Sequence, residues 1–252
     1  MKTLRDTWLM FERSMGIALR NPVWVVVSLT QPLYFLVLFG PLLTSLTGPG
    51  LPADRAFNVF VPGLLIQLGI FGTLFVGLGL IAEVRNGVVE RMRVTPVSRL
   101  ALLLGRAFRD IVILLVQGVL LILAAIPFGL RIHFLGLVVA IGLLGLIGLV
   151  LVSTSYALSL WLRSEDALAP MLNTLSLPLL LLSGILLPLS LAPGWLQWIS
   201  ALNPLRYAVD ATRDLFNGQL ATASVARGVV VMTLLAVITL WISARSFARS
   251  AA

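Results

Sequence analysis

Apolar residues along this chain fall into long blocks that charged residues never enter. Six blocks approach or exceed the roughly 20 residues that cross a ~30 Å hydrocarbon core at 1.5 Å per residue. They are Val23 to Leu43, Val59 to Ala82, Ile111 to Leu130, Phe134 to Leu162, Ala167 to Leu191 and Gly228 to Ala244. Each is read as a transmembrane helix. The fifth carries Pro170, Pro178 and Pro188, so a kink or break is expected there. The last is the shortest and lies between Arg227 and Arg245. The first block follows a stretch containing acids, is too long for a signal peptide and has no small-residue cleavage site after it, so it is expected to stay as an anchor.

Other segments show helical periodicity without the length to span. In residues 3–20, Leu4, Trp8, Phe11, Met15 and Leu19 recur at helical spacing while Arg5, Asp6, Glu12, Arg13 and Arg20 mostly lie opposite. This predicts an amphipathic interfacial helix, either a surface helix that sets topology or a lever joining a soluble partner to the first span. Between the fifth and sixth blocks, Trp195 and Trp198 suit a membrane interface. Asn203 followed by Pro204 starts a helix and Asn217–Gly218 stops it, with Arg206–Asp210 and Asp210–Arg213 at pairing distance. A short capped helix resting at the outer surface is the expectation, with a passive lid as its plainest role.

Composition fixes the solvent. The 252 residues are 59% hydrophobic and 11% charged, where a soluble protein carries about 25% charged residues. Lipid therefore surrounds most of the chain. The net charge of +8 sits outside the apolar blocks, which favours membrane orientation over nucleic-acid binding. With six spans, Lys2, Arg5, Arg13, Arg20, Arg85, Arg91, Arg93, Arg99, Arg106, Arg109, Arg163, Arg245 and Arg249 share one side. Only Arg55, Arg131, Arg206, Arg213 and Arg227 face the other. The positive-inside rule then places both termini of this multi-pass chain in the cytoplasm.

Absences narrow the chemistry. Without cysteine there is no thiol or disulfide chemistry, and the single histidine, His133, has no neighbouring carboxylate to build a metal site or triad. Lys2 is the only lysine, so the chain holds no phosphate-binding P-loop. If nucleotide energy drives this chain, another polypeptide hydrolyses the nucleotide and holds the ATP and magnesium; no catalytic residue, metal or cofactor is expected on this one. The blocks as drawn contain no ionisable residue, which argues against a proton-coupled carrier or a membrane hydrolase.

Within the blocks, Gly69, Thr73 and Gly77 form a small-residue ladder for close helix approach. Gln67, Thr73, Gln117, Asn173 and Ser176 are polar and uncharged. Interhelical hydrogen bonding is their default role, and lining a substrate path is the sharper one. The charged stretch from Glu83 to Asp110 between the second and third spans is much longer than a turn requires. Thr95 can cap a helix with Pro96 at its first position, and Glu83 and Glu90 share a helical face. An arginine-rich lipid anchor and a protein-docking element both fit, but the acids among Arg85, Arg91, Arg93 and Arg99 suit a protein partner better.

The run ERMRVTPVSRLALLLGRAFRD (Glu90–Asp110) and the segment LSGILLPLSLAPGWLQWISALNPLRYAVDATRDLF (Leu182–Phe216) resemble permease subunits of type-2 ABC exporters, especially the daunorubicin-resistance branch. The order of elements is similar as well, over nearly the whole chain. The resemblance implies one all-α transmembrane domain, residues 1–252, with six spans, an interfacial helix over 1–22, a cytoplasmic coupling loop over 83–110 and an outer helical loop over 192–228. It also implies that the coupling loop docks on a separate ATPase, with Glu90, Arg91 and Arg93 at or near the contact. Two permease subunits and two ATPase subunits then make one exporter. Two other functions stand beside it: a stand-alone ion-coupled carrier and a non-transporting membrane scaffold.

Overall fold

The computed structural model describes residues 2–20, 23–46, 53–87, 99–185, 189 and 192–249, and all regular structure among them is helical. The elements are α1 (Lys2–Arg20), α2 (Val23–Leu46), α3 (Ala53–Thr73), α4 (Val76–Arg85), α5 (Arg99–Ala125), a 3-10 turn at Ile126–Phe128, α6 (Phe134–Leu162), α7 (Glu165–Leu182), α8 (Gly194–Ser200), α9 (Pro204–Phe216) and α10 (Ala223–Arg249). The chain is an all-helical membrane protein.

Six spans are expected from the apolar blocks; among the described residues four stretches are long and apolar enough to cross. These are Phe57–Arg85 (α3 with α4), Ala101–Phe128, Phe134–Leu162 and Ala223–Phe247. A fifth is present if Leu4–Arg20 and Val25–Gly40, which meet at 69°, are counted as one broken span. The fifth apolar block yields only α7, an 18-residue helix, about 27 Å long. Ser164 caps its start by accepting from the Ala167 N–H. Pro170 and Pro178 are both tolerated inside it. It ends before Ser183, and Gly184 takes a positive φ of 75°.

α3 occupies the centre. Val61, Leu64, Leu65, Ile66, Leu68 and Ile70 are buried on every side of it, the mark of a helix enclosed by others rather than by lipid. In the most apolar stretch of the span it forms with α4, 67% is buried, against 22% for α10 at the periphery. Leu36, Leu114, Leu121, Leu143 and Ile147 from the surrounding helices complete the main core. Glycine makes room for the chain just past α7: a Cβ on Gly63 would lie 2.4 Å from the Ile185 carbonyl oxygen. Val26, Leu38, Val116, Leu123, Val230 and Leu234 lie exposed on the apolar exterior of the bundle.

The helices run back and forth between two ends. At the near end, Phe247 of the last helix joins Leu80, Leu102, Leu103, Ala107, Val152 and Tyr156 in a second apolar cluster, and α1 packs against α5. At the far end lie α8, α9 and the turn before α6. Three of the spanning stretches outrun their apolar blocks toward the near end: α4 reaches Arg85, α5 starts at Arg99 and α10 reaches Arg249. α5 is one continuous helix from Arg99, so the third span as drawn, starting at Ile111, omits its first three turns. Those turns bring Asp110 into the bundle, and the expectation of no ionisable residue within the spans is corrected accordingly.

Candidate functional site

Four residues in the first turns of α5 each engage a different neighbour. Gly105 receives α1: a Cβ there would lie 2.6 Å from Met10 Cβ and 2.9 Å from the Thr7 carbonyl oxygen. The contact is widened by Phe11 and Phe108, whose rings meet edge to face at 6.5 Å. Arg106 forms an ion pair with Glu83 at the end of α4. Arg109 reaches its own neighbour, Asp110, at 2.7 Å. The other carboxylate oxygen of Asp110 accepts from the Tyr156 hydroxyl of α6. Asp110 is thus buried with both oxygens served, which is what allows a charge in such a place. A weaker pair, Arg85 with Glu165 at 3.9 Å, links the end of α4 to the start of α7.

Of the residues expected to couple to a partner, Glu83 and Arg85 therefore lie in this joint, and Arg99 opens α5. Glu90, Arg91, Arg93, Thr95 and Pro96 fall outside the described residues. The five polar residues inside the blocks are spread through the bundle. Gln117 donates to the Val25 carbonyl (3.0 Å) and the Ser28 hydroxyl (2.6 Å), pinning α5 to α2. Thr73 donates to Gly69 of its own helix and Ser176 to Asn173 of its own. Gln67 is buried with neither amide atom bonded. Asn173 alone of the five is exposed.

The far end is built around α9. Its start is capped as the Asn203–Pro204 pair suggests, the Asn203 side chain accepting from the Leu205 N–H at 3.0 Å and donating to the Leu179 carbonyl at 2.8 Å. Arg206 lies 3.9 Å from Asp210 and donates to the Gln197 carbonyl and the Ser200 hydroxyl. Arg213 does not turn to Asp210. The residue is 8% exposed, and its guanidinium donates to the Val59 carbonyl (3.1 Å) and the Gly184 carbonyl (2.7 Å), with Ile185 at 3.4 Å. A cation there also faces the negative end of α7. Burial holds this guanidinium below its ordinary pKa, an effect Asp210 partly offsets. Burial likewise raises the Asp210 carboxyl above its usual value, against the pull of Arg213 and Arg206.

α9 is therefore no passive lid resting on the surface. Leu205, Ala208, Val209, Thr212, Leu215 and Phe216 are buried, and two glycines accept its backbone. A Cβ on Gly136 would meet the Leu215 carbonyl oxygen at 2.1 Å, and one on Gly228 the Tyr207 carbonyl oxygen at 2.7 Å.

Residues 5–217 match the ABC-2 type transporter family. The chain belongs to that family. This ABC-2 permease is 32% identical over 203 residues to the protein named ycf38 in Cyanophora paradoxa, covering 79% of the chain and 69% of the relative. It is 28% identical over 221 residues to a daunorubicin resistance ABC transporter permease protein of Streptomyces coeruleorubidus, covering 86% and 75%. YbhR of Escherichia coli K12 is 24% identical over 158 residues, 62% of the chain and 43% of the relative. Membership makes the chain the non-catalytic membrane component of an ABC transporter, partnered by an ABC ATPase subunit on which ATP is hydrolysed. The stand-alone ion-coupled carrier is set aside by the same finding.

Two parts of the ABC-2 permease escaped the sequence reading. Tyr156 and Asp110 are 46 residues apart and nothing in their spacing links them. The burial of α9 did leave a signal: Leu205, Ala208, Val209, Thr212, Leu215 and Phe216 recur at steps of three and one, a largely apolar stripe that must be covered.

Proposed function

We propose that this permease is the membrane half of an ATP-driven exporter that moves amphipathic drugs, lipids or lipid-linked molecules out across the bacterial cytoplasmic membrane. The single observation that carries the reading is the joint in α5. A force applied to residues 86–98, between α4 and α5, reaches three helices through Glu83–Arg106, Gly105–Met10 and Asp110–Tyr156. In this reading residues 83–110 are the coupling loop, both termini are cytoplasmic, and Glu90, Arg91 and Arg93 touch the ATPase. Residues 1–22 lie along the inner leaflet, and residues 192–228 close the outer side.

Two ATPase copies and a second permease copy complete the transporter; among the described residues α3 fills the centre of one bundle with buried side chains, which favours a path between copies. α2 and α7 bring the spans to six. Asn173, polar and exposed on α7, is the residue we place on a path between copies; Gln67, Thr73 and Ser176 are buried, and Gln117 pins α5 to α2. The drug-resistance names of relatives support an amphipathic substrate, which lipid can present to such a path.

The test is reconstitution with the ATPase subunit. Charge reversal at Glu90 or Arg91 is expected to leave ATP hydrolysis running while export of a fluorescent amphipathic dye falls at least several-fold. Export driven by a pH or sodium gradient without ATP would overturn the proposal, as would normal export by both reversed variants.

A further inference from the structure

The span formed by α3 and α4 is interrupted. α3 ends at Thr73, α4 begins at Val76, and Leu74 and Phe75 form a turn between them. In an unbroken helix the Gly77 N–H would bond to the Thr73 carbonyl and the Leu78 N–H to the Leu74 carbonyl. Here the Leu78 N–H bonds to the Phe75 carbonyl at 3.1 Å. That leaves the Gly77 donor and the Leu74 acceptor without their helical partners, at buried positions where water cannot serve them. One side chain of another helix serves both. Ser155 of α6 accepts from the Gly77 N–H at 2.9 Å and donates to the Leu74 carbonyl at 2.5 Å. Its hydroxyl is inserted into the ladder at the break, the arrangement that marks a kink point in a helix.

The surroundings are built for this contact. Ser155 is fully buried. A Cβ on Gly77 would lie 2.5 Å from the Ser155 carbonyl oxygen and 2.7 Å from its hydroxyl, so only glycine admits the approach. Further along the same face, Gly69 rests at ordinary contact distance on Ile147 and Leu151. The ladder of small residues in α3 and α4 thus packs on α6, tightest at the break. The next residue of α6, Tyr156, holds Asp110 of α5. Two consecutive residues therefore control both helices that flank residues 86–98.

We infer that Leu74–Phe75 is a hinge and that Ser155 is the positioning residue that pins it. With the hydroxyl in place, α4 is fixed relative to α3. When the hydroxyl is withdrawn, the ten residues of α4 swing as a short lever that ends at Glu83 and Arg85. Leu74 and Phe75 lie between two helix ends, and a few element-terminal residues of this kind can absorb the backbone change of a hinge. The purpose given to the lever rests on the proposed function, but the hinge itself does not.

The experiment separates the two. The chain has no cysteine, so nitroxide labels can be placed at Val84→Cys on α4 and Trp161→Cys on α6, both exposed. Their separation is measured by pulsed electron resonance in lipid nanodiscs. In the permease alone, the otherwise unaltered labelled chain is expected to give one narrow distance. Ser155→Ala, and independently Gly77→Ala, are expected to broaden it at least twofold or add a second population. If Ser155→Ala does not fold, Gly77→Ala decides. A distribution unchanged by the folded variants overturns the hinge. In complex with the ATPase, a non-hydrolysed ATP analogue is expected to shift the distance when Ser155 is present and to leave Ser155→Ala unshifted, with ATP hydrolysis within twofold between them. A shift retained in Ser155→Ala overturns the positioning role. Failure of the Ser155-containing chain to bind an ATPase overturns the proposed function and leaves the nanodisc result standing.

Discussion

Tyr156 and Asp110 join α6 to α5 through a single hydrogen bond between buried side chains. Arg109 serves the other oxygen of the same carboxylate. Tyr156→Phe keeps the ring in its apolar cluster and strips one donor from a buried charge. A loss of about 1–3 kcal/mol is expected, read as a lower thermal midpoint in detergent. An unchanged midpoint would show that Arg109 alone suffices.

The ion pair between Glu83 and Arg106 yields to charge reversal in a distinguishable way. Arg106→Glu sets two carboxylates together and Glu83→Arg two guanidinium groups, each expected to cost about 1 kcal/mol. The double exchange restores the pair with its direction inverted. Recovery of both stability and ATPase coupling in the double variant, measured against each single one, is the expected result; no recovery would mean the surrounding field, not the pair, matters.

Gly105→Val places atoms where α1 now lies, since the first added carbon already falls 2.6 Å from Met10. α1 is expected to lift from α5 without loss of the spans. A nitroxide at Met10→Cys reports this directly as a sharper, more mobile spectrum, and a spectrum identical to that of the parent protein counts against the docking.

Arg213→Met keeps the length and packing of the side chain but removes every donor to Val59, Gly184 and Ile185. Hydrogen bonds from a charged donor contribute about 1.5–3 kcal/mol, so a large fall in thermal stability is expected. Arg213→Lys retains the charge without the planar fork and should recover only part of it. Equal midpoints for Met and Arg would refute the anchor.

Asp210 gives a pH signature with a definite sign. Its carboxyl titrates above the ordinary 3.8 in the folded protein, mainly because of burial. The folded state therefore holds the proton more tightly than the unfolded chain, which favours folding at low pH. That advantage disappears as pH rises through the folded value. Asp210→Asn, which mimics the protonated form, is expected to be at least as stable as the parent at pH 7, the difference closing as the medium is acidified below the carboxylate range. A variant less stable at pH 7 than at pH 4, relative to the parent, would reverse the sign.

Much of the bundle can be read from where charge is missing. The blocks at 59–82, 134–162 and 228–244 all became parts of spanning helices because an uninterrupted apolar surface has no other stable solvent. The ends of the helices could not be read that way. α5 extends through Arg106, Arg109 and Asp110 because helix continuity is decided by backbone hydrogen bonds and by α1, α4 and α6 packing around those turns. A hydropathy block ends at the first charge, whether or not that charge finds a partner 46 residues away. Ser155 shows the same limit inside a span: one hydroxyl among apolar neighbours reads as a generic interhelical bonder, and only the fold reveals that it faces the break at Leu74. Arg213 is a third case, since its partners are carbonyl groups, which every sequence supplies.

That choice of acceptors has a consequence for how such a protein can diversify. Because Arg213 grips the main chain at positions 59, 184 and 185, the side chains at those positions contribute nothing to the grip. A substitution at position 59 can therefore change the side-chain chemistry of the far end without removing an acceptor from that contact.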